Sequence, residues 1–202
     1  LIGSLGIDDA SVLVGPGIGR DAAAVRIGDS IVVLKTDPIT FASSGAARYL
    51  INVNANDLAC LGATPKWMLV TAMFPVGTTR QDVEMTFAEL ATVSHEAGIS
   101  LVGGHTEVTP SVIKPILVGM LVGVAEQHSL LPPGGAKTGD LLVLSRPVAI
   151  EGTALLATEL ESPLSDLLPA AVIERAKGLL DQPGLSVTRE ARLAMASVEV
   201  HA

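Results

Sequence analysis

Thr79-Arg80-Gln81-Asp82 constrains the fold of this chain more than any other short run, because it has the spacing of a capping box, with Asp in place of the usual Glu. The threonine hydroxyl and the aspartate three residues later can each satisfy a free backbone N–H of the other, which fixes where a helix starts. Val83, Phe87, Leu90, Ala91 and Ser94 continue it at helical spacing and Gly98 closes it, so the pattern predicts a helix over 79–97. Strand-like runs lie on either side. KWMLVTAMF, residues 66–74, stops at Pro75, and Ile99–Val102 follows the glycine.

The neighbouring segments repeat this alternation. IVVLKT, residues 31–36, is a β-branched apolar run that ends at Asp37-Pro38, where proline disfavours helix and fixes a turn. Residues 43–63 place Ala47, Leu50, Ile51, Asn54, Leu58 and Leu61 at helical spacing, with Gly62 as the C-cap, so Asn54 and Asp57 share a face. After a GGHTEVTP turn, residues 114–124 form a longer strand. The order strand, helix, strand, helix, strand, strand describes a mixed α/β domain. PPGGAKTGD, residues 132–140, is the densest turn signal and divides the chain into units at 1–133 and 134–202. The second unit reads as a strand at 141–147, a helix at 151–160 and helical stretches at 163–180 and 186–197. That is too few strands for a sheet of its own, and with no Met before Leu1 the expectation is a fragment or a processed chain.

Composition removes several function classes. A net charge of −8 repels nucleic acid, and no basic stripe is interleaved with aromatics. No window reaches about 18 uninterrupted apolar residues, so no membrane partner is expected. The start of the chain lacks a basic region and a cleavage site, which points to a cytoplasmic protein. Hydrophobic residues make up 49% of the chain, ample for a packed core. Cys60, the single cysteine, falls in NDLACLGA and reads as a small core hydrophobe rather than a nucleophile.

Several residues could carry chemistry. VGPGIGRDAAAV, residues 14–25, matches neither a dinucleotide glycine motif nor a P-loop, and is equally readable as a turn before a strand or as a functional loop. Asp21, Asp37 and Asp57 lie at strand ends or on a helix beside small residues. There they could hold Mg²⁺ and admit a polyphosphate, or serve as ordinary caps and turn residues. Gly103-Gly104 could turn backbone N–H groups inward as an anion nest, which favours phosphate handling at His105 over zinc, since no second histidine stands at ligand spacing. Glu107 could bring charge to the same place. His95, His128 and His201 read as structural or surface residues.

GRDAAAV, KTDPIT, NANDLACLGATP, GISLVGGHTEVTP and KTGDLLVLSRPVAIEGTALLA occur in one order, from about residue 13 to 202. In that order the chain resembles the superfamily of aminoimidazole ribonucleotide (AIR) synthetase, selenophosphate synthetase, thiamine-monophosphate kinase and the hydrogenase maturation protein HypE, most closely its AIR synthase-related or HypE-like members. The resemblance implies an amino-terminal α/β domain whose strands form a barrel across a homodimer, followed by a partial carboxy-terminal α/β domain. It also implies ATP and Mg²⁺ as cofactors. Nucleotide and metal would be bound through Asp21, Thr36-Asp37, Asn54 and Asp57, the Gly103, Gly104, His105 and Thr106 run, and the helix start at Gly152. The metal ligands would be Asp21, Asp37 and Asp57, with Glu107 taking over a duty that His105 cannot perform where several members carry a carboxylate. Residues 1–20 contain neither the cysteine nor the lysine of a selenophosphate synthetase. The expectation is therefore Mg-ATP-dependent phosphoryl transfer that activates an oxygen of an unidentified acceptor. The alternative is a dimeric module that binds nucleotide without turnover.

Overall fold

A computed structural model describes residues 6–42 and 44–201. Six strands form one mixed sheet: β1 (Val12–Val14), β2 (Ala23–Ile27), β3 (Ser30–Ile39), β4 (Thr64–Pro75), β5 (Ser100–Thr109) and β6 (Ile116–Ala125), in the order β1-β2-β3-β6-β4-β5. Two helices join them, α1 (Ala46–Cys60) between β3 and β4 and α2 (Arg80–Glu96) between β4 and β5. β4 and β5 are parallel, as a strand, helix, strand crossover requires, while β3 and β4 both run antiparallel to β6. The expected mixed α/β class is observed. Four further helices follow, α3 (Ile150–Glu159), α4 (Glu161–Ser165), α5 (Ala170–Lys177) and α6 (Thr188–Ser197).

The capping box forms as expected, with Thr79 accepting from the Asp82 N–H at 3.2 Å and the Asp82 carboxylate accepting from the Thr79 N–H at 3.0 Å. α1 begins at Ala46; Ser43, where its pattern starts, lies outside the described residues. At its other end Gly62, with φ of +86°, and Ala63 return their N–H groups to Ala59 and Leu58, a Schellman closure.

α1 is buried on two sides, and the sheet beneath it has the shape it needs. A methyl group at Gly119 of β6 would sit 3.2 Å from Leu50 and Asn54, and one at Gly123 would sit 2.7 Å from Leu58, so these glycines let the helix lie close against the strand. Leu50, Ile51, Leu58, Met68, Phe74, Leu117 and Leu121 are buried in the resulting core. The opposite side of α1 meets the C-terminal helices. Asn56 donates to the Leu185 carbonyl at 2.9 Å and accepts from the Val187 N–H at 2.8 Å.

Five expectations need correction. β3 does not stop at Asp37-Pro38 but runs on to Ile39; β2 pairs with it only as far as Leu34, so the proline sits where one side of the strand has no neighbour to bond. The GGHTEVTP run is not a turn but the body of β5, and the N–H groups of Gly103 and Gly104 belong to an extended strand rather than a nest. Residues 141–147 form no strand: Leu141, Leu142, Val143 and Leu144 are exposed, and among the described residues no strand lies alongside to complete their hydrogen bonds. The stretch 163–180 is broken into α4, α5 and a 3-10 turn, with Pro169 preceding α5. Cys60 is also exposed rather than in the core, because α1 presents it away from the sheet. Partial desolvation, with the Asp57 charge, nevertheless raises its thiol pKa, the reverse of an activated nucleophile.

Candidate functional site

Alternation along β3 turns Ile31, Val33, Lys35, Asp37 and Ile39 toward α1 and Val32, Leu34 and Thr36 toward the other face. Lys35 is buried there, although a lysine rarely is without a partner. It has two partners. Its Nζ lies 2.8 Å from Asp57 Oδ2 and 3.3 Å from Asp37 Oδ2. Asp57 reaches it from α1, one turn beyond Asn54, which rests on Gly119, the residue paired with Asp37. Strand alternation and helix periodicity thus bring Lys35, Asp37, Asn54 and Asp57 together.

Two more carboxylates act on this cluster. Burial raises the Asp57 pKa, Lys35 pulls it back, and the charges of Asp21 and Asp37 push it further up. Glu151, in the first turn of α3, is likewise raised, by burial first and then by Asp37 and Asp57. Lys35 is drawn down by burial, but its contact with Asp57 outweighs that and the ammonium stays charged beyond its ordinary range. Two acids touch the lysine, and the charges of Asp21 and Glu151 couple to those acids, which leaves a negative site.

Other expected site residues lie elsewhere. Thr36 is adjacent to Asp37 but points to the opposite, open face of the sheet. Across the sheet Asp37 aligns with Gly119, Val70 and Gly104, so the glycines of β5 are three strands away, about 14 Å at the usual strand spacing. His105 aligns with Thr71 and Glu107 with Met73, which places both on the open face, with 3.5 Å between His105 Nε2 and Glu107 Oε2. Thr106 is exposed on the same edge strand, and Gly152 is exposed in the first turn of α3, next to Glu151. Sequence reading missed Lys35 and the role of Glu151. The signal for Lys35 was its position two residues before Asp37 in an apolar strand.

Among the described residues no group of three or more His, Cys, Asp or Glu is arranged to hold a metal ion. Glu107 cannot join Asp37 and Asp57, because it stands on the other side of the sheet. One feature does favour a ligand at the cluster: Asn54 is fully buried, and its Oδ1 has no hydrogen-bond partner among the described residues. As the residues stand, however, the cation between Asp37 and Asp57 is a lysine, and they do not fit a resident metal. A cavity of about 620 Å³ opens on the other side of α1, lined by Arg48, Lys66, Arg146 and Arg192, and is separate from the cluster.

The open face of the sheet is apolar. Trp67, Leu69 and Met120 are 45%, 38% and 42% exposed there, and the adjoining β5 is an edge strand exposed along nearly its whole length.

Residues 19–125 match the family described as AIR synthase related protein, N-terminal domain. The chain belongs to that family. A protein of Methanocaldococcus jannaschii named for hydrogenase expression and formation is 27% identical over 141 residues, 67% of this chain and 42% of its own length. The selenide, water dikinase of Aeromonas hydrophila is 30% identical over 155 residues, 72% of this chain and 43% of that enzyme. The AIR synthase-related fold is seen again in a crystal structure of the hydrogenase maturation protein HypE. It superposes with a TM-score of 0.69 at 21% identity, over 90% of this chain and 55% of that one. The chain thus spans about half the length of the relatives it matches.

Proposed function

We propose that this chain forms the nucleotide-binding part of an ATP-dependent phosphoryl-transfer enzyme, with Mg²⁺ arriving as the counter-ion of ATP. The observation that carries this reading is the contact of Asp37 and Asp57 with buried Lys35, coupled by charge to Asp21 and Glu151, beside the orphaned Asn54 oxygen. A group of ionised acids repels bare polyphosphate but attracts a polyphosphate that carries a divalent ion. The similarity to a selenide, water dikinase supports the same class of chemistry.

The dimeric state belongs to this proposal. An apolar sheet face beside an exposed edge strand suits pairing with a second copy, which would bury Trp67, Leu69 and Met120 and give His105 and Glu107 new neighbours. No helix among the described residues is long and apolar enough to cross a membrane. A cytoplasmic location is a separate part of the proposal. The units 1–133 and 134–202 are proposed as a nucleotide-binding and dimerisation domain and the start of a second domain. The acceptor is a small molecule or protein bearing a nucleophilic oxygen.

The test is release of ADP or phosphate from Mg-ATP by the purified chain and by Asp37→Ala, together with the melting temperature in nucleotide. Turnover that Asp37→Ala abolishes is the expected result. Tight binding that raises the melting temperature without release in any acceptor would leave the non-catalytic nucleotide-binding module, a reading favoured by the lysine at the cation position. No thermal shift with Mg-nucleotide would overturn both.

A further inference from the structure

The Asp37–Asp57 pair already holds a cation, and that cation is covalently part of β3. We propose that the Lys35 ammonium is a built-in counter-ion that takes the place of a divalent ion between Asp37 and Asp57, so that the site keeps no metal of its own and admits one only with the nucleotide. This rests on the nucleotide reading of the same site.

Three observations converge. First, Nζ is within 2.8 Å of one carboxylate and 3.3 Å of the other, which is direct contact with both. Second, the lysine side chain is only 8% exposed, while Asp57 and Asp37 are 28% and 35% exposed, so the carboxylates face outward and the lysine closes the inner side. Its stem is held between the strand and α1, which leaves the ammonium little freedom to withdraw. Third, the remaining oxygen near the cluster that could serve a cation, Asn54 Oδ1, is buried and unpartnered. A magnesium ion requires near-octahedral oxygen ligands at about 2.1 Å, and the ammonium, by occupying Oδ2 of both carboxylates, leaves it at most one oxygen of each and repels it besides. Lys35 is thus a positioning residue, holding Asp37 and Asp57 in place without metal.

The test uses Mn²⁺ as the probe, titrated against the full chain and followed by the loss of the free-ion paramagnetic resonance signal, without nucleotide and with a non-hydrolysable ATP analogue. Without nucleotide the native chain should bind Mn²⁺ only weakly. Lys35→Met should gain one site at least tenfold tighter, and adding Asp57→Asn should remove the gain. Lys35→Arg, which keeps the charge, should stay as weak as the native chain. If Lys35→Met fails to fold, as read by circular dichroism, Lys35→Gln supplies the same neutral comparison. Tight Mn²⁺ binding by the native chain without nucleotide, or no gain in the neutral variant, would overturn the proposal. If the metal-alone results hold but the native chain ignores Mn-nucleotide, the nucleotide reading fails while the counter-ion role of Lys35 stands.

Discussion

Gly103 and Gly104 adjoin in β5 and have nearly the same backbone, φ of +156° and +150°, yet the structure predicts very different costs for giving each a methyl group. Both substitutions would force an L-residue into a region that costs about 1–3 kcal/mol. At Gly103 little else happens, since the nearest atom to the new Cβ would be Leu69 Cδ2 at 3.5 Å, an ordinary contact. At Gly104 the Cβ would come within 1.8 Å of the Val70 carbonyl oxygen, whereas real Cβ atoms essentially never approach below 3.0 Å. Backbone of the neighbouring strand cannot rotate aside as a side chain can, so β5 must move off β4, adding about 1–3 kcal/mol of overpacking strain or more. Gly104→Ala should therefore cost about 2–6 kcal/mol in all, and Gly103→Ala about 1–3 kcal/mol, with Gly104→Ala the larger by the overpacking strain. Urea denaturation measures both, followed by circular dichroism for the whole fold and by fluorescence of the single tryptophan, Trp67, which pairs with Ser100 at the start of β5. If Gly104→Ala proved no more destabilising than Gly103→Ala, the close approach of β5 to β4, and with it the placement of His105 on the open face, would be wrong.

Other perturbations test separate parts of the fold. Asn56→Ala removes both bonds that tie α1 to Leu185 and Val187, and should cost about 1–3 kcal/mol and speed proteolysis near those residues. Asn52→Ala, whose side chain bonds only to Arg48 within the same helix, should be milder in both readouts. Ala149, with φ of +59°, is the residue other than glycine with a positive φ among the described residues. Ala149→Gly should stabilise the protein by up to about 1 kcal/mol, and a lowered melting temperature would contradict the left-handed turn into α3. The pKa of Lys35 is raised above its ordinary 10.5, so the stability it contributes is fully present below that value and is lost as pH rises through the higher folded value. Melting temperatures of the native chain should fall more steeply above pH 10.5 than those of Lys35→Met, and parallel curves would refute the ion pair.

Where a signal was local, the sequence was enough. The capping box over Thr79 and Asp82 specifies the start of α2 because its partners are three residues apart, and the helical spacing of Asn54 and Asp57 puts them on one side of α1 wherever that helix packs. The same period rule applied to β3 would have paired Lys35 with Asp37. What it could not supply was Asp57 arriving from α1 to complete the ion pair, because the fit of α1 against Gly119 and Gly123 is a packing property.

Strand composition and strand formation part company in both directions for a related reason. LLVL at 141–144 has strand composition but no strand beside it, whereas the glycines of β5 resemble a turn yet are held extended by β4 on one side. A strand is completed by its neighbours, so its own residues cannot guarantee it. By itself, then, the sequence determined the family, the mixed α/β class and the residues that could carry charge. Only the tertiary structure determined that Lys35 stands between Asp37 and Asp57 while His105 and Glu107 lie across the sheet from them, since register and close packing between distant segments decide which side chains meet.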